Sequence, residues 1–243
     1  KINLKQKLIN QDNFKNILEN SIKSRLISDV PLGIFLSGGL DSSLITAIAK
    51  KYDNNITTHT IKFEDTSYDE SIFAKEVAQY LKTKHFEYKI NKNELIDTWD
   101  NIIKKLDDPI NDSSLIPTYL LSKYSKNSIK VALTGDGSDE LFGGYINFKV
   151  LFFSFFLKNI TTEGSIKQIL KFLIKKLPNN DGYMSNKFLL NQLTNGMGKN
   201  EFLQTIYCMS SFNEESIFKL TNDQLDVSKY LYTILKKFKN SNI

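Results

Sequence analysis

Two short polar loops hold most of the residues in this chain that could do chemistry. The first is the stretch SGGLDSS at positions 37–43, and the second is TGDGSDE at positions 134–140. Each follows directly on a short apolar run, at positions 31–36 and 129–133 respectively. Glycines and hydroxyls dominate the first loop, whereas three carboxylates crowd the second. Ligands of open α/β sheets bind beyond the carboxyl ends of the strands, so both loops are candidate binding elements.

The first loop has the composition of a phosphate-binding loop. Its glycines, Gly38 and Gly39, allow positive φ angles and a close approach of a ligand to the backbone. A helix beginning near Ser42 would add N–H groups and the partial positive charge of its N-terminus. Asp41 fits if a magnesium ion lies between its carboxylate and the phosphates. The loop is not a Walker A motif, because the lysine and the spacing are missing. An ordinary strand-to-helix turn capped by Ser or Asp is the alternative. The hydroxyl donors are Ser37, Ser42 and Ser43.

The second loop is acidic and is followed at once by Gly143 and Gly144. Carboxylates this close repel one another unless a cation or a basic substrate group lies among them. A solvated acidic turn that caps a helix around Leu141 is the alternative. Between the two loops, the stretch NDSS at 111–114 could contact a substrate or cap a helix that begins near Leu115.

Strand and helix patterns alternate around these loops. Strands are predicted at 31–36, 57–63, 84–90 and 129–133, and helices at 42–52, 68–82, 95–106 and 115–124. Such alternation predicts βαβ units and an α/β fold with a doubly wound, mostly parallel sheet. After Tyr145 the strand pattern disappears, and amphipathic helices are predicted at 164–177, 186–193 and 226–238. We therefore expect an N-terminal linker at 1–20, a core domain at 21–145 and a helical extension at 146–243.

Several side chains in these elements look structural. The most apolar run, VLFFSFFL at 150–157, is far shorter than the roughly 18 residues that span a membrane. A core helix is the better interpretation, with the phenylalanines of 148–156 and Trp99 in the core. His59 and His85 lie in strand patterns without a ligand-spaced partner, and we expect both in the core or at the surface.

Charge and cysteine content disfavour other classes of function. Cys208 is the only cysteine, so neither an internal disulfide nor a cysteine-ligated zinc is expected. The net charge is +5, but Arg25 is the only arginine, and clustered arginines favour nucleic-acid recognition. The first 20 residues lack the apolar run of a secretory signal, and we expect none. We expect no membrane or nucleic-acid partner and a cytoplasmic location.

The two loops together resemble those of a known family. The combination SRLISDVPLGIFLSGGLDSS, DSSLIPTYLLSKYSK and VALTGDGSDELFGGY is similar to the synthetase domain of glutamine-hydrolysing asparagine synthetases. The likeness covers residues 22–145, and the paired motifs are specific at this separation. It implies an ATP- and Mg²⁺-dependent ligase that adenylates the side-chain carboxylate of aspartate, releases pyrophosphate and uses ammonia to form asparagine.

The resemblance also implies roles for individual residues. Leu36, Ile61, Thr134 and Gly135 would meet the nucleoside through backbone atoms. Asp136 occupies the position of an acidic residue needed to form the intermediate, and Asp139 would be the second magnesium-side carboxylate. Pyrophosphate and its magnesium would be held by Ser37, Gly38, Gly39, Asp41, Ser42 and Ser43.

The chain also departs from the family pattern. Many members have Glu at the position of Asp136, and residue 1 here is Lys1 rather than the cysteine nucleophile of a glutaminase domain. A downstream arginine- and lysine-bearing segment is also missing, so we expect the chain to be incomplete relative to the family. A separate glutaminase domain or subunit would then supply ammonia. A non-catalytic nucleotide-binding member and a tRNA-adenylating enzyme are the other functions that the first loop admits.

Overall fold

The computed structural model describes most of the chain, namely residues 10–65, 69–108, 112, 114–158, 163–178, 185–197, 201–210, 214–222 and 226–240. The chain divides after Ser138 into two compact units.

Four parallel strands form the sheet in the described part of the first unit. They are β1 (Leu32–Phe35), β2 (Thr57–Phe63), β3 (Lys84–Ile90) and β4 (Val131–Leu133), in the order β3-β2-β1-β4. Phe35 of β1 lies opposite His59 of β2, and Ile34 lies opposite Leu133 of β4. The chain thus builds to one side of β1 and then returns to its other side. The switch point lies between β1 and β4, where the carboxyl ends of the strands open a crevice.

Helices cover both faces of this sheet. They are α1 (Gln11–Arg25), α2 (Leu40–Tyr52), α3 (Ser71–Leu81), α4 (Lys92–Ile103) and α5 (Leu115–Ser125), with the short α6 (Ser138–Phe142) at the unit boundary. Since side chains alternate along a strand, Thr58 and Ile61 of β2 point to opposite faces. Ile61 packs with Ile90 and Leu120 beneath α5, whereas Leu36 packs against Ala74 and Ala78 of α3. The predicted α/β fold class is confirmed.

Most predicted elements of this unit match the structure. β2 and β3 have the expected bounds, whereas β1 and β4 are shorter than their apolar runs. The carbonyl of Pro31 accepts the N–H of Lys130 at 2.8 Å, so regular pairing begins one residue later on each strand. Helix α1 occupies part of the segment assigned to an N-terminal linker. It forms because Leu18, Ile22 and Leu26 recur every four residues and pack against β1 and α2.

The described part of the second unit is helical. Its helices are α7 (Ile146–Lys158), α8 (Glu163–Lys176), α9 (Asn186–Gly196), α10 (Glu201–Met209), α11 (Glu214–Leu220) and α12 (Val227–Asn240). The helices predicted at 164–177, 186–193 and 226–238 are confirmed as α8, α9 and α12, whereas α10 and α11 were not predicted. Helices α9 and α10 pack closely at Gly196, where a Cβ atom would lie 2.5 Å from the Cys208 Sγ. Buried side chains include Val150, Ile174, Met197, Leu203 and Tyr207.

The expectation that Phe152, Phe153 and Trp99 lie in the core is wrong. Phe152 and Phe153 lie in α7, as expected for a helix, but are 70% and 61% exposed, and Trp99 is 42% exposed. A run of consecutive apolar residues in a helix points in all directions, so part of it must face away from the unit's own core. Phe155 and Phe156 lie outside the residues whose side chains are described. Across the described ranges, no helix has the length and apolar character needed to cross a bilayer.

Candidate functional site

The first loop joins β1 to α2 at the switch point. Leu36 follows β1 directly, and its N–H donates to the carbonyl of His59 at 3.0 Å, which extends the pairing of β1 with β2 by one residue. Gly38 has a φ of +84°, and Gly39 is the N-cap of α2. The turn therefore directs the N-terminus of α2 into the crevice. The first N–H groups of a helix have no acceptor within the helix, so those of Leu40, Asp41 and Ser42 are available to an anion.

Close packing fixes the position of Gly38. A Cβ atom there would lie 2.4 Å from the backbone nitrogen of Ala74 and 2.6 Å from the carbonyl carbon of Phe73. The loop is thus pressed against the first turn of α3. Both the positive φ and this contact require glycine, because an L side chain is disfavoured at that φ and has no space.

A buried hydroxyl organises the loop from within. Ser42 is 5% exposed, and its Oγ accepts the N–H of Ser37 at 3.2 Å and lies 3.0 Å from the Ser37 Oγ. The same oxygen is 3.3 Å from the carbonyl of Gly39, and the Ser37 Oγ accepts the N–H of Gly39 at 3.2 Å. The side chains of both serines are therefore used inside the turn. What Ser42 offers a ligand is its backbone N–H.

Two other side chains in the first turn of α2 have no hydrogen-bond partner among the described residues. The carboxylate of Asp41 makes no hydrogen bond or ion pair with the described residues, and its side chain is partly buried in the first turn of α2. The Ser43 Oγ is shielded from solvent and has no hydrogen-bond partner in the described part of the chain. An unpaired buried hydroxyl is unfavourable, so a ligand at this position would gain a ready donor.

The second loop meets the first at Gly135. A Cβ atom on Gly135 would lie 3.2 Å from the backbone nitrogen of Ser42 and 3.4 Å from the Asp41 Cβ. The Oγ1 of Thr134 accepts the N–H of Asp136 at 3.3 Å, which turns the chain immediately after β4. The side chain of Asp136 is exposed. The structure therefore brings Thr134, Gly135 and Asp136 to the same edge of the sheet as Asp41.

Asp139 is the first residue of the second unit, and the contacts that follow lie inside that unit. It lies in the first turn of α6, and its side chain packs against Gly144, where a Cβ atom would collide with the carboxylate. The backbone carbonyl of Asp139 also accepts the N–H of Gly144 at 3.0 Å. Gly144 thus serves the packing of this turn, whereas Gly143 provides its positive φ of 69°. Next to Asp139, the hydroxyl of Tyr145 donates to Glu140 at 2.6 Å, and this bond lowers the pKa of the Glu140 carboxyl.

Two other predicted positions lie outside this convergence. Ile61 is within β2, two residues before the strand ends, and its side chain is buried in the core beneath α5. Only its backbone could meet a nucleoside, as expected. Before α5, the Asp112 carboxylate accepts the N–H of Ser114 at 2.8 Å, a turn of the capping type. Asn111 and Ser113 are not among the described residues.

Asp69 connects β2 to α3 and was not predicted as a site residue from the sequence. Its Oδ1 accepts the N–H of Phe63 at 3.3 Å and the N–H of Ser71 at 3.2 Å, and its Oδ2 accepts the Ser71 hydroxyl at 3.1 Å. One carboxylate therefore connects the last residue of β2 with the first turn of α3, the same turn that presses on Gly38. An acid just before an apolar helical pattern is an N-cap signal that was available in the sequence.

A buried aromatic and polar cluster supports β2 beneath the first loop. His59 is fully buried, stacks on Phe86 and places its two ring nitrogens 3.0 Å from the Tyr88 hydroxyl and from the Thr57 Oγ1. Burial lowers the pKa of His59 to about 4, with a smaller contribution from His85. The ring is therefore neutral near pH 7. The expectation of a structural histidine is confirmed for His59.

The donors at this edge fit a metal only together with phosphate. Among the described residues, no three His, Cys, Asp or Glu side chains gather closely enough to hold an ion. Mg²⁺ commonly takes one or two carboxylates and completes its shell with phosphate oxygens and water. The unpaired Asp41 carboxylate beside free helix N–H groups provides such a partial shell. The residues present thus fit a magnesium–polyphosphate complex and not a metal held by protein alone.

The parallel sheet, its switch point and the glycine loop define an α/β protein with a doubly wound parallel sheet. The profile of the asparagine synthase family matches residues 13–242. The chain belongs to this family, which confirms the resemblance seen in the two loops.

Individual relatives match more than half of this chain. Glutamine-hydrolysing asparagine synthetase 1 of Bacillus subtilis is 38% identical over 131 residues, covering 54% of this chain and 21% of the relative. A putative glutamine-hydrolysing asparagine synthetase of Methanocaldococcus jannaschii is 40% identical over 144 residues, covering 58% and 27%. Among solved structures, the NH3-dependent NAD synthetase of Campylobacter jejuni matches 56% of this chain and 61% of its own, at 18% identity and a TM-score of 0.41. The chain thus spans less than a third of the length of these two curated relatives.

Proposed function

We propose that this chain is the synthetase portion of an ATP-dependent, amide-forming ligase that adenylates the side-chain carboxylate of aspartate. The observation that carries the proposal is the contact of Gly135 with Asp41 and Ser42 at the switch point. This contact places two loops in one crevice. The first loop is suited to phosphates, and the second is suited to a cation or a basic substrate group. The family membership of the chain supports the same assignment.

The reaction consists of two nucleophilic substitution steps. An oxygen of the aspartate carboxylate would attack the α-phosphorus of ATP, and the bond from that phosphorus to pyrophosphate would break. The nitrogen of ammonia would then attack the activated acyl carbon, and AMP would leave. The first step gathers negative charge on the departing pyrophosphate, so it depends on positioning and on donors directed at those oxygens.

The residues of the first loop would hold the departing pyrophosphate. Backbone N–H groups of α2 would donate to it, and Ser43 would add its free hydroxyl, while Ser37 and Ser42 would keep the turn rigid. Asp41 would hold Mg²⁺, which supplies charge neutralisation to the polyphosphate when bound. Gly38 would let the turn lie flat against α3.

The residues beyond β4 would face the other reactant. Thr134 and Gly135 would contact the nucleoside through backbone atoms, together with Leu36 and Ile61. The exposed carboxylate of Asp136 would receive the positive amino group of aspartate or a second metal. We assign Asp139 the second magnesium-side carboxylate by its motif position. Ammonia would come from a glutaminase domain or subunit, in line with the names of the relatives.

The fate of ATP tests this proposal. Adenylation yields AMP, whereas phosphorylation or simple hydrolysis yields ADP, and chromatography separates the two. We expect AMP to form only with Mg²⁺ and aspartate. We also expect Asp41→Asn to abolish it while leaving thermal unfolding unchanged, because the carboxylate has no hydrogen-bond or ion-pair partner among the described residues. ADP as the only product would refute adenylation. Tight ATP binding without any product would identify a non-catalytic nucleotide-binding member.

A further inference from the structure

A groove in the first unit lies between the end of α3 and the start of β3. It has a volume of about 420 Å³, within the range of about 300–1,000 Å³ that is typical of small-molecule sites. Because the strands are parallel, the start of β3 lies at the opposite edge of the sheet from the two polar loops. The groove is therefore distinct from the candidate synthetase site. Polar residues that line it are Lys75, Gln79, Lys82, Thr83, His85 and Glu87.

Positive charge exceeds negative charge in this groove. Lys75 and Lys82 contribute two ammonium groups, and Glu87 contributes the one carboxylate of the lining. The Lys75 Nζ is 3.9 Å from the Glu87 Oε1, with more than half of the lysine side chain exposed, so this ion pair is loose. The ammonium of Lys82 has no hydrogen-bond or ion-pair partner among the described residues. A net positive groove with one unpaired cation favours an anionic ligand.

His85 adds a buried donor to the groove. Its Nδ1 lies 2.9 Å from the Thr58 Oγ1, which lies 2.9 Å from the Thr83 Oγ1. Burial lowers the pKa of His85, so its ring is neutral near pH 7. When Thr83 donates to Thr58 and Thr58 donates to Nδ1, the ring proton is on Nε2. That nitrogen is shielded from solvent without a hydrogen-bond partner in the described part of the chain, and the Glu87 Oε1 is 4.0 Å away.

The backbone at Lys82 gives an independent reason to assign a role to its side chain. Lys82 is the C-cap of α3 in the left-handed conformation, with φ 53° and ψ 45°, where glycine or asparagine is usual. The carbonyls of Ala78 and Gln79 are already satisfied by the N–H groups of Thr83 and Lys82, at 3.0 and 3.2 Å. The helix end thus needs no hydrogen bond from the lysine side chain, and glycine would fit its backbone better. Strained residues of this kind are enriched at ligand sites.

We propose that this groove binds a small phosphate-bearing molecule, with the phosphate held by Lys75, Lys82 and, after a shift of the neighbouring Glu87 side chain, the Nε2–H of His85. Two ammonium groups and one imidazole N–H match a tetrahedral dianion with several acceptor oxygens better than a planar carboxylate. The hydroxyl of Thr83 and the amide of Gln79 would serve the remainder of the ligand. The carbonyls of Ala78 and Gln79 at the end of α3 already accept backbone hydrogen bonds, so they do not compete for these donors.

The chain offers a direct reporter of this site. It has two histidines, His59 and His85, so its imidazole NMR spectrum contains two sets of signals that His85→Gln assigns. The full chain is titrated with inorganic phosphate against chloride and sulfate at constant ionic strength. The variant is Lys82→Gly, and the matched control is Lys84→Gln. Lys84 is two residues away, but its ammonium lies over the ring of Phe86, 5.2 Å from the centroid.

The expected result has three parts. Phosphate shifts the signals of His85 in a saturable way, Lys82→Gly weakens this binding at least 10-fold, and Lys84→Gln binds as the parent chain does. Lys82→Gly should also unfold at a higher temperature without phosphate, which excludes misfolding as the cause of lost binding. Any of three results would overturn the proposal: unmoved His85 signals, equal and unsaturable effects of all three anions, or unchanged phosphate binding by Lys82→Gly.

Discussion

Replacing Gly38 with alanine is the sharpest local test of how the first loop is built. Alanine at a φ of +84° costs about 1–2 kcal/mol relative to glycine. Its Cβ would also lie 2.4 Å from the backbone nitrogen of Ala74, and overpacking of this kind costs about 1–3 kcal/mol more. The atom it meets is backbone, so a side-chain rotation cannot relieve the contact. We expect Gly38→Ala to lower the free energy of unfolding by about 2–5 kcal/mol.

The neighbouring glycine is a matched control for this prediction. Gly39 has a φ of −66°, and a Cβ atom there would approach only the Ser37 Oγ, at 3.3 Å. Gly39→Ala should therefore cost less than about 1 kcal/mol, mostly through its N-cap position. Urea unfolding of both variants, followed by circular dichroism, measures the difference. Equal stability of the two variants would refute the packing of the loop against α3.

Three further perturbations test neighbouring parts of the site. Asp69→Ala removes the three hydrogen bonds by which this carboxylate links β2 to α3, one from Phe63 and two from Ser71. The free energy of unfolding should fall by about 1–2 kcal/mol in a urea melt. An unchanged melt would mean that this carboxylate does not hold the two elements together. Gly135→Ala should keep the fold but weaken ATP binding about 10-fold by calorimetry, since its Cβ would lie 3.2 Å from the Ser42 nitrogen; parent-like affinity would place the ligand elsewhere. The pKa of His59 is lowered from 6.5 to about 4 in the fold, so stability is full above pH 6.5 and falls by about 3 kcal/mol as the pH drops toward 4. His59→Gln should remove that part of the slope, and a slope identical to that of the parent chain would contradict the assignment.

The sequence predicted the sheet well because buried parallel strands have a strong local pattern. The bounds of β2 and β3 follow from alternating β-branched and aromatic residues, and the positions of the first and second loops follow from the polar turns after β1 and β4. Helix α1 was missed because its first turns are mostly polar and its apolar stripe is narrow. The exposure of Phe152 and Phe153 could not be predicted, because it depends on which helices pack around α7.

Within the site, the residue types were predictable and their contacts were not. Gly38 was chosen for its freedom of φ, but the reason that glycine is required is the first turn of α3, some 35 residues further along the chain. Ser42 was expected to bind ligand through its side chain as readily as Ser43. The structure separates them, since the Ser42 hydroxyl is used inside the loop and the Ser43 hydroxyl has no hydrogen-bond partner in the part of the chain that the structure describes. The requirement at Gly38 arises from tertiary packing against α3, and the difference between the two serines arises from hydrogen bonds inside the folded loop.

The measurement that tests the central proposal most directly is pyrophosphate release from ATP by the full chain. Mg²⁺, ATP, aspartate and an ammonium salt are combined and each is omitted in turn, with Asp41→Asn as the matched variant. The account predicts release that requires aspartate and Mg²⁺, persists without ammonium at least as a single turnover, and disappears in Asp41→Asn. Release that is independent of aspartate, or unchanged in Asp41→Asn, would contradict it.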